Sequence, residues 1–136
     1  NTMKHTLLII TALMLVVGFT SGQEPIDGST LVRKDGLYYA SDANEPYSGK
    51  VVFYHDNGQK FYEGTFKDGE DDGEFTCWYE NGQKMLEGTY KEGKLVGKQT
   101  AWYENGQKSS ERTWKDGERI SSKCWDEDGK EMDCPW

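Results

Sequence analysis

Histidine, cysteine and clustered carboxylates are the residues from which a catalytic or metal site would have to be built in this chain. There are two histidines, His5 in an apolar leading segment and His55 beside a turn, on the side of Phe53. A zinc site needs several N or S donors at compatible spacing, and general acid–base work needs a partner group. Neither converges on His55, which reads as a solvated turn residue. The acidic run DGEDDGE (Asp68 to Glu74) has the composition of a calcium loop. An EF-hand, however, demands ligands at alternating positions, a closing Glu and flanking helices. This run reads instead as a hairpin tip whose charge discourages aggregation. DEDGKEMD (Asp126 to Asp133) reads the same way. Cys77 has no base beside it that would make it a nucleophile, and reads as a small core thiol. No catalytic residue, cofactor site or metal site is expected, and the chain does not read as an enzyme.

The segment before the fold carries an address rather than chemistry. Met3-Lys4-His5 is a short basic start, and LLIITALMLVVGF (Leu7 to Phe19) is an apolar run of signal-peptide length. It falls short of the roughly 20 residues that span a bilayer. Small residues follow at Thr20-Ser21-Gly22, and no cysteine stands there to take a lipid. Residues 1–22 are therefore expected to be a signal peptide. The expectation is an exported protein, residing in the periplasm, at the cell surface or in the medium. Without that segment, 15 basic side chains face 24 acidic ones, a formal charge of −9. Such a surface repels phosphate backbones and anionic headgroups, which argues against nucleic acid and anionic membranes as partners.

The elements that position side chains come from a repeat. FYHDNGQKFYEGTFKDGE (Phe53 to Glu70), CWYENGQKMLEGTYKEGK (Cys77 to Lys94) and AWYENGQKSSERTWKDGE (Ala101 to Glu118) restate one phrase. Gly49, Gly73 and Gly97 stand 24 apart, as do Gly58, Gly82 and Gly106, and Gly69, Gly93 and Gly117. Self-similarity at this period marks a protein built by stacking one small unit. Asn57-Gly58, Asn81-Gly82 and Asn105-Gly106 are hairpin signals, expected as two-residue type I′ turns. Asp68-Gly69, Glu92-Gly93 and Asp116-Gly117 mark the return turns. Only strand lengths remain between them. The fold class is thus all-β: a single elongated, twisted antiparallel meander of stacked hairpins. Units are expected at about 31–48, 49–72, 73–96, 97–120 and 121–134, after a flexible leader at 23–30. The first unit is a degenerate hairpin turning at Lys34-Asp35-Gly36. Seventeen aromatics against ten Ile, Leu and Val after residue 22 suit a thin sheet rather than two packed layers.

Register follows from the turns. With two-residue loops Tyr54 faces Phe61, Val51 faces Gly64 and Tyr62 faces Phe75, and an even repeat returns equivalent residues to the same face. One face collects Val51, Phe53, Tyr62, Phe66, Phe75, Cys77, Tyr79, Leu86, Tyr90, Ala101, Tyr103 and Trp114. The other carries charges and Thr around an aromatic seam: Tyr54 with Phe61, Trp78 with Met85, Trp102 with Ser109. Gly64 and Gly88 lie where an aromatic or branched neighbour can cover a bare strand glycine. Asp128-Gly129 comes 23 residues after Gly106, an odd step that demands a bulge or a three-residue loop. A loop of Asp128, Gly129 and Lys130 would set Cys124 opposite Cys134, a candidate disulfide in an oxidising compartment. Cys77, four strands from Cys124, is out of reach of that pair.

The phrases Tyr-Glu-Asn-Gly-Gln-Lys and Glu-Gly-Thr-Tyr-Lys-Glu-Gly-Lys resemble the variant MORN repeat of bacterial proteins catalogued as YwqK-type antitoxins. The resemblance covers about residues 31–134. It implies an elongated sheet of stacked hairpins that serves as an interaction surface, with no catalytic constellation to carry over. The expected function is an exported, non-enzymatic scaffold or protein-interaction module. Its binding face would be the row Tyr54, Phe61, Trp78 and Trp102, since exposed aromatic rows mark interaction sites. The expected partner is a protein. A glycan stacking on Trp78 and Trp102, an antitoxin-like neutralised partner, and self-association through edges or faces are the competing readings.

Overall fold

Glycine turns at fixed intervals leave room only for strands, and the computed structural model, described for residues 23–135, consists of little else. The segment expected to be a signal peptide lies outside the described residues. In chain order the strands are β1 (Ile26–Asp27), β2 (Val32–Lys34), β3 (Leu37–Tyr39), β4 (Gly49–Tyr54), β5 (Lys60–Lys67) and β6 (Glu70–Asp71). They continue with β7 (Gly73–Trp78), β8 (Lys84–Lys91), β9 (Lys94–Trp102), β10 (Lys108–Lys115), β11 (Glu118–Trp125) and β12 (Glu131–Met132). In one sheet β4, β5, β7, β8, β9, β10, β11 and β12 lie antiparallel side by side in that order, with the short β6 pairing β5 on the same side as β7, the meander the repeat requires.

The ends differ from the expected stack. Residues 23–30 are not a bare leader. Ile26 and Asp27 pair parallel with Val51 and Val52 of β4, and a short 3-10 turn (Gly28–Thr30) follows. Gly28 is buried beneath the Phe53 ring, where an added Cβ would come within 2.3 Å of a ring carbon. The hairpin β2–β3 turns at Asp35-Gly36 but forms its own two-stranded sheet rather than the first rung. It is tied to the first return turn, with Tyr38 N donating to Gly69 O at 3.0 Å and Gly69 N to Tyr47 O at 2.8 Å.

The turn chemistry is the reverse of the expectation. The return turns are the type I′ turns: φ is positive at both Asp68 and Gly69 (50° and 81°), Glu92 and Gly93 (49° and 74°), Asp116 and Gly117 (50° and 81°). In the Asn-Gly loops only the glycine is left-handed, Gly58 at 83° and Gly82 at 84°. These loops hold three residues, closed by His55 N to Gln59 O at 2.8 Å with Gly58 N donating to His55 O at 2.9 Å. That is a type I turn followed by a glycine bulge.

The extra loop residue shifts the register beyond it. Val51↔Gly64 and Phe53↔Tyr62 pair as expected, but Tyr54 then meets Lys60, not Phe61. The same bulge recurs at Trp78↔Lys84 and Trp102↔Lys108. Across the next junction Tyr62 faces Cys77 rather than Phe75. One unbroken row thus crosses the sheet: Phe53, Tyr62, Cys77, Leu86, Ala101, Ser110, Cys124, Met132. Its neighbour on the opposite face reads Val52, Glu63, Thr76, Glu87, Thr100, Glu111, Lys123.

The first face holds the core. Val51, Phe66, Phe75, Cys77 and Cys124 are buried. Aromatic rings knit it together, Tyr62 stacked on Phe75 at 6.1 Å and Phe75 against Tyr90 at 4.8 Å, with Tyr38 of the leading hairpin over Phe66 at 5.2 Å. Gly88 sits opposite Phe75, whose ring would lie 3.0 Å from an added Cβ, so the strand glycine is roofed as expected.

Cys124 and Cys134 are disulfide-bonded, Cα atoms 5.2 Å apart. The loop before them is Glu127-Asp128-Gly129, closed by Asp126 N to Lys130 O at 2.9 Å. Cys124 therefore pairs with Met132 and the bridge runs diagonally, instead of joining directly opposed residues. The 23-residue step arises elsewhere. Where β8 advances two residues, Glu87 to Thr89, β9 advances four, Thr100 to Val96. In β10–β11 one residue, Thr113 to Trp114, is matched by two, Ser121 to Arg119. The bulge in β11 is one residue smaller.

Candidate functional site

Bulge and period together build a ladder on the face opposite the core. Each Asn-Gly loop delivers Gln and then Lys, and the bulge directs that Lys beside the aromatic residue of the facing strand. Lys60 Nζ lies 5.9 Å from the Trp78 ring centroid, Lys84 5.7 Å from Trp102, and Lys108 5.5 Å from Trp125. An ammonium over an indole is attracted by the ring quadrupole, by about 0.5–1 kcal/mol at exposed sites. Each lysine is also tethered one turn of pleat further on: Lys60 to Glu63, Lys84 to Glu87 at 2.9 Å, Lys108 to Glu111 at 2.5 Å. Lys98 adds a second cation to Glu111 at 3.0 Å. The hydrogen bonds from Lys108 and then Lys98 hold the Glu111 carboxyl below its usual range, and the bond to Glu63 raises Lys60. The strip is thus Tyr54, Lys60, Trp78, Lys84, Trp102, Lys108, Trp125, rings alternating with charged lysines.

The residues read from sequence fall in two places. Tyr54 stands at the head of the strip, 49% exposed, and Trp78 and Trp102 lie within it, half-buried. Phe61 does not pair with Tyr54. It borders a hollow with Tyr38, Phe53, Tyr62 and Phe66, and meets the His55 ring edge-on at 5.2 Å. Met85 and Ser109 are likewise displaced by Lys84 and Lys108 as partners of the tryptophans. Sequence reasoning missed the three lysines and Trp125. Their signal was the Lys closing every Asn-Gly-Gln-Lys, invisible as a ring neighbour until the bulge is known.

Two further ladders hold successive units in register. Asn57 Nδ2 donates to Glu80 O at 3.0 Å, Asn81 to Glu104 O at 3.2 Å and Asn105 to Glu127 O at 3.1 Å. Their Oδ1 atoms accept from the backbone N of Gln59, Gln83 and Gln107. Asparagine suits the place because its short amide carries the donor and the acceptor on separate atoms. Beside it, Tyr79 and Tyr103 donate to the carbonyls of Trp102 and Trp125 at 2.8 and 2.9 Å. His55 occupies the equivalent place with Nε2 2.8 Å from Trp78 O, so it is a half-buried rung rather than a solvated turn residue.

The candidate chemistry resolves into structure. Asp71 accepts the Tyr62 hydroxyl, and Asp72 Oδ2 accepts Glu92 N at 3.0 Å, so the acidic run braces turns. Among the described residues no group of three or more His, Cys, Asp or Glu is placed to hold a metal ion. Burial, and then the Asp71 charge, push the Cys77 thiol up to about 11.

The fold and its ladders define a stacked-hairpin repeat protein. Residues 47–68, 71–92 and 95–116 each match the MORN repeat variant, a span from 47 to 116 that exceeds half of the 136-residue chain. The chain belongs to the MORN repeat variant family, a class of generally non-catalytic repeat modules. Nothing among curated proteins or solved structures is significantly similar to it.

Proposed function

We propose that this repeat protein is an exported, non-enzymatic interaction module whose tryptophan–lysine strip docks a protein partner. The observation that carries the reading is the strip itself. It offers partly exposed rings at a fixed pitch of two strands, about 10 Å, each held by a lysine that is itself anchored to a glutamate. Anchored, preorganised aromatics lose little freedom on binding, which is why such residues dominate interfaces. Lysine heads over the indoles favour a protein over a glycan, because a sugar would need those same ring faces. Export is supported by the apolar run Leu7 to Phe19 and by the Cys124–Cys134 bridge, since disulfides persist in oxidising compartments.

The test is affinity capture from the envelope fraction of the source cells, with the wild type beside Trp78→Ala/Trp102→Ala. One protein enriched by the wild type and lost with the double variant, whose circular dichroism is unchanged, is the expected result. Equal capture by both overturns the strip as the site. Quenching of tryptophan fluorescence by a cell-wall polysaccharide, abolished in the double variant, would assign the strip to a glycan instead.

A further inference from the structure

We infer that the outer edge of β11 is a self-pairing interface that joins two copies of this chain about a twofold axis. The inference does not require the tryptophan–lysine strip to bind a partner; it meets the strip only at Lys123, whose Nζ lies 5.3 Å from the Trp125 ring centroid. On its inner side β11 pairs with β10 from Glu118 to Cys124. On its outer side β12 reaches only Cys124 and Trp125. Among the described residues no strand pairs with 118–123 on that side, and all six residues are exposed, Ile120 to 61%. A strand edge of this length is a template for another strand. At the opposite end of the sheet β1 takes up the middle of the β4 edge, at Val51 and Val52. The two ends of the sheet therefore do not present like edges, and β11 offers the longer uninterrupted one for pairing with its own copy.

Register and charge select the occupant. In a twofold antiparallel pair, two different positions can oppose each other only if both point to the same face, an even number of steps apart. Glu118 and Lys123 are five residues apart in sequence, an odd count. The β11 bulge corrects this, since they pair with Lys115 and Glu111, which are four steps apart on β10. Glu118 and Lys123 thus share a face. Pairing 118 with 123 of the second copy places two opposite-charge pairs symmetrically about the axis, with Ile120 near it. Lys123 Nζ lies 3.0 Å from Glu131, and its three donors leave capacity for a second carboxylate. The contact is one strand pair, well below a standard interface, so the dimer is weak and salt-sensitive.

Sedimentation velocity over a concentration series tests this with two single variants. Glu118→Lys alone and Lys123→Glu alone each set like charges against each other at both pairs, and each is expected to remain monomeric. An equimolar mixture of the two restores both opposite-charge pairs and is expected to form a heterodimer at least as readily as the wild type dimerises. That rescue also shows both variants to be folded. A wild type that stays monomeric at every concentration overturns the inference, as do single variants that dimerise like the wild type or a mixture that fails to associate.

Discussion

Tyr79 Oη donates to the carbonyl oxygen of Trp102 at 2.8 Å, and this bond between residues 23 apart is how one repeat grips the next. Tyr79→Phe leaves a half-buried carbonyl without that donor and is expected to cost about 1 kcal/mol in urea unfolding. His55→Tyr, which makes the ladder uniform, is expected to lie within about 0.5 kcal/mol of the wild type, because a donor is still present. Equal losses from the two changes would show that the hydroxyl ladder contributes nothing particular.

The asparagine ladder depends on the amide donor. Asn81→Asp keeps the acceptor for Gln83 N but sets a carboxylate against Glu104 O, and should destabilise by about 1 kcal/mol. In the last loop Asp128 stands where the earlier loops have Asn, and its backbone N donates to Asp126 Oδ1 at 3.0 Å. Asp128→Asn is accordingly expected to leave the unfolding midpoint unchanged. The pair of measurements isolates the donor from general charge effects.

Glu92 holds φ at 49° in a type I′ turn, a conformation that a side chain with a Cβ occupies at a cost. Glu92→Gly should raise stability by about 0.5–1 kcal/mol in thermal or urea unfolding. The bond from its backbone N to Asp72 is retained in the variant. Gly93→Ala, at φ 74°, should move the midpoint the other way. A destabilised Glu92→Gly would mean that the glutamate side chain matters more than the turn.

Alkali should loosen the core around Asp71. Burial first, and the Asp71 charge second, hold Cys77 at about 11 against an ordinary 9.0. Burial likewise raises Tyr62 and Tyr90. A group raised in the folded state binds its proton more tightly there than in the unfolded chain. Its contribution is therefore complete below about pH 9 and is lost as pH climbs toward 11. Urea midpoints measured from pH 8 upward should fall across that window, less steeply in Cys77→Ala. A flat profile would refute the assignment.

Much of this architecture can be read from residues alone, because each turn glycine and each alternation acts within a few positions. The 24-residue return of Gly69 and Gly93 suffices for the meander; the last hairpin brings Cys124 and Cys134 within reach, but through a loop one residue earlier than expected and on the diagonal. What escaped depends on a single residue of loop length. Asn57-Gly58 satisfies a two-residue turn and a three-residue loop equally well on local propensity. The difference decides whether Tyr54 meets Phe61 or Lys60, and so whether the strip is purely aromatic or alternates with lysine. The leader escaped for another reason: Ile26 and Gly28 find β4 and Phe53 through contacts more than twenty residues away, which no local pattern announces.

Because every Asn and Tyr rung reaches forward by one unit and no further, the molecule's length is decoupled from its stability plan. Excising or duplicating one whole 24-residue unit rejoins each donor to an equivalent carbonyl. The span of this chain can therefore be changed as a ruler's is, by whole graduations, while a cut of any other size leaves two misaligned halves.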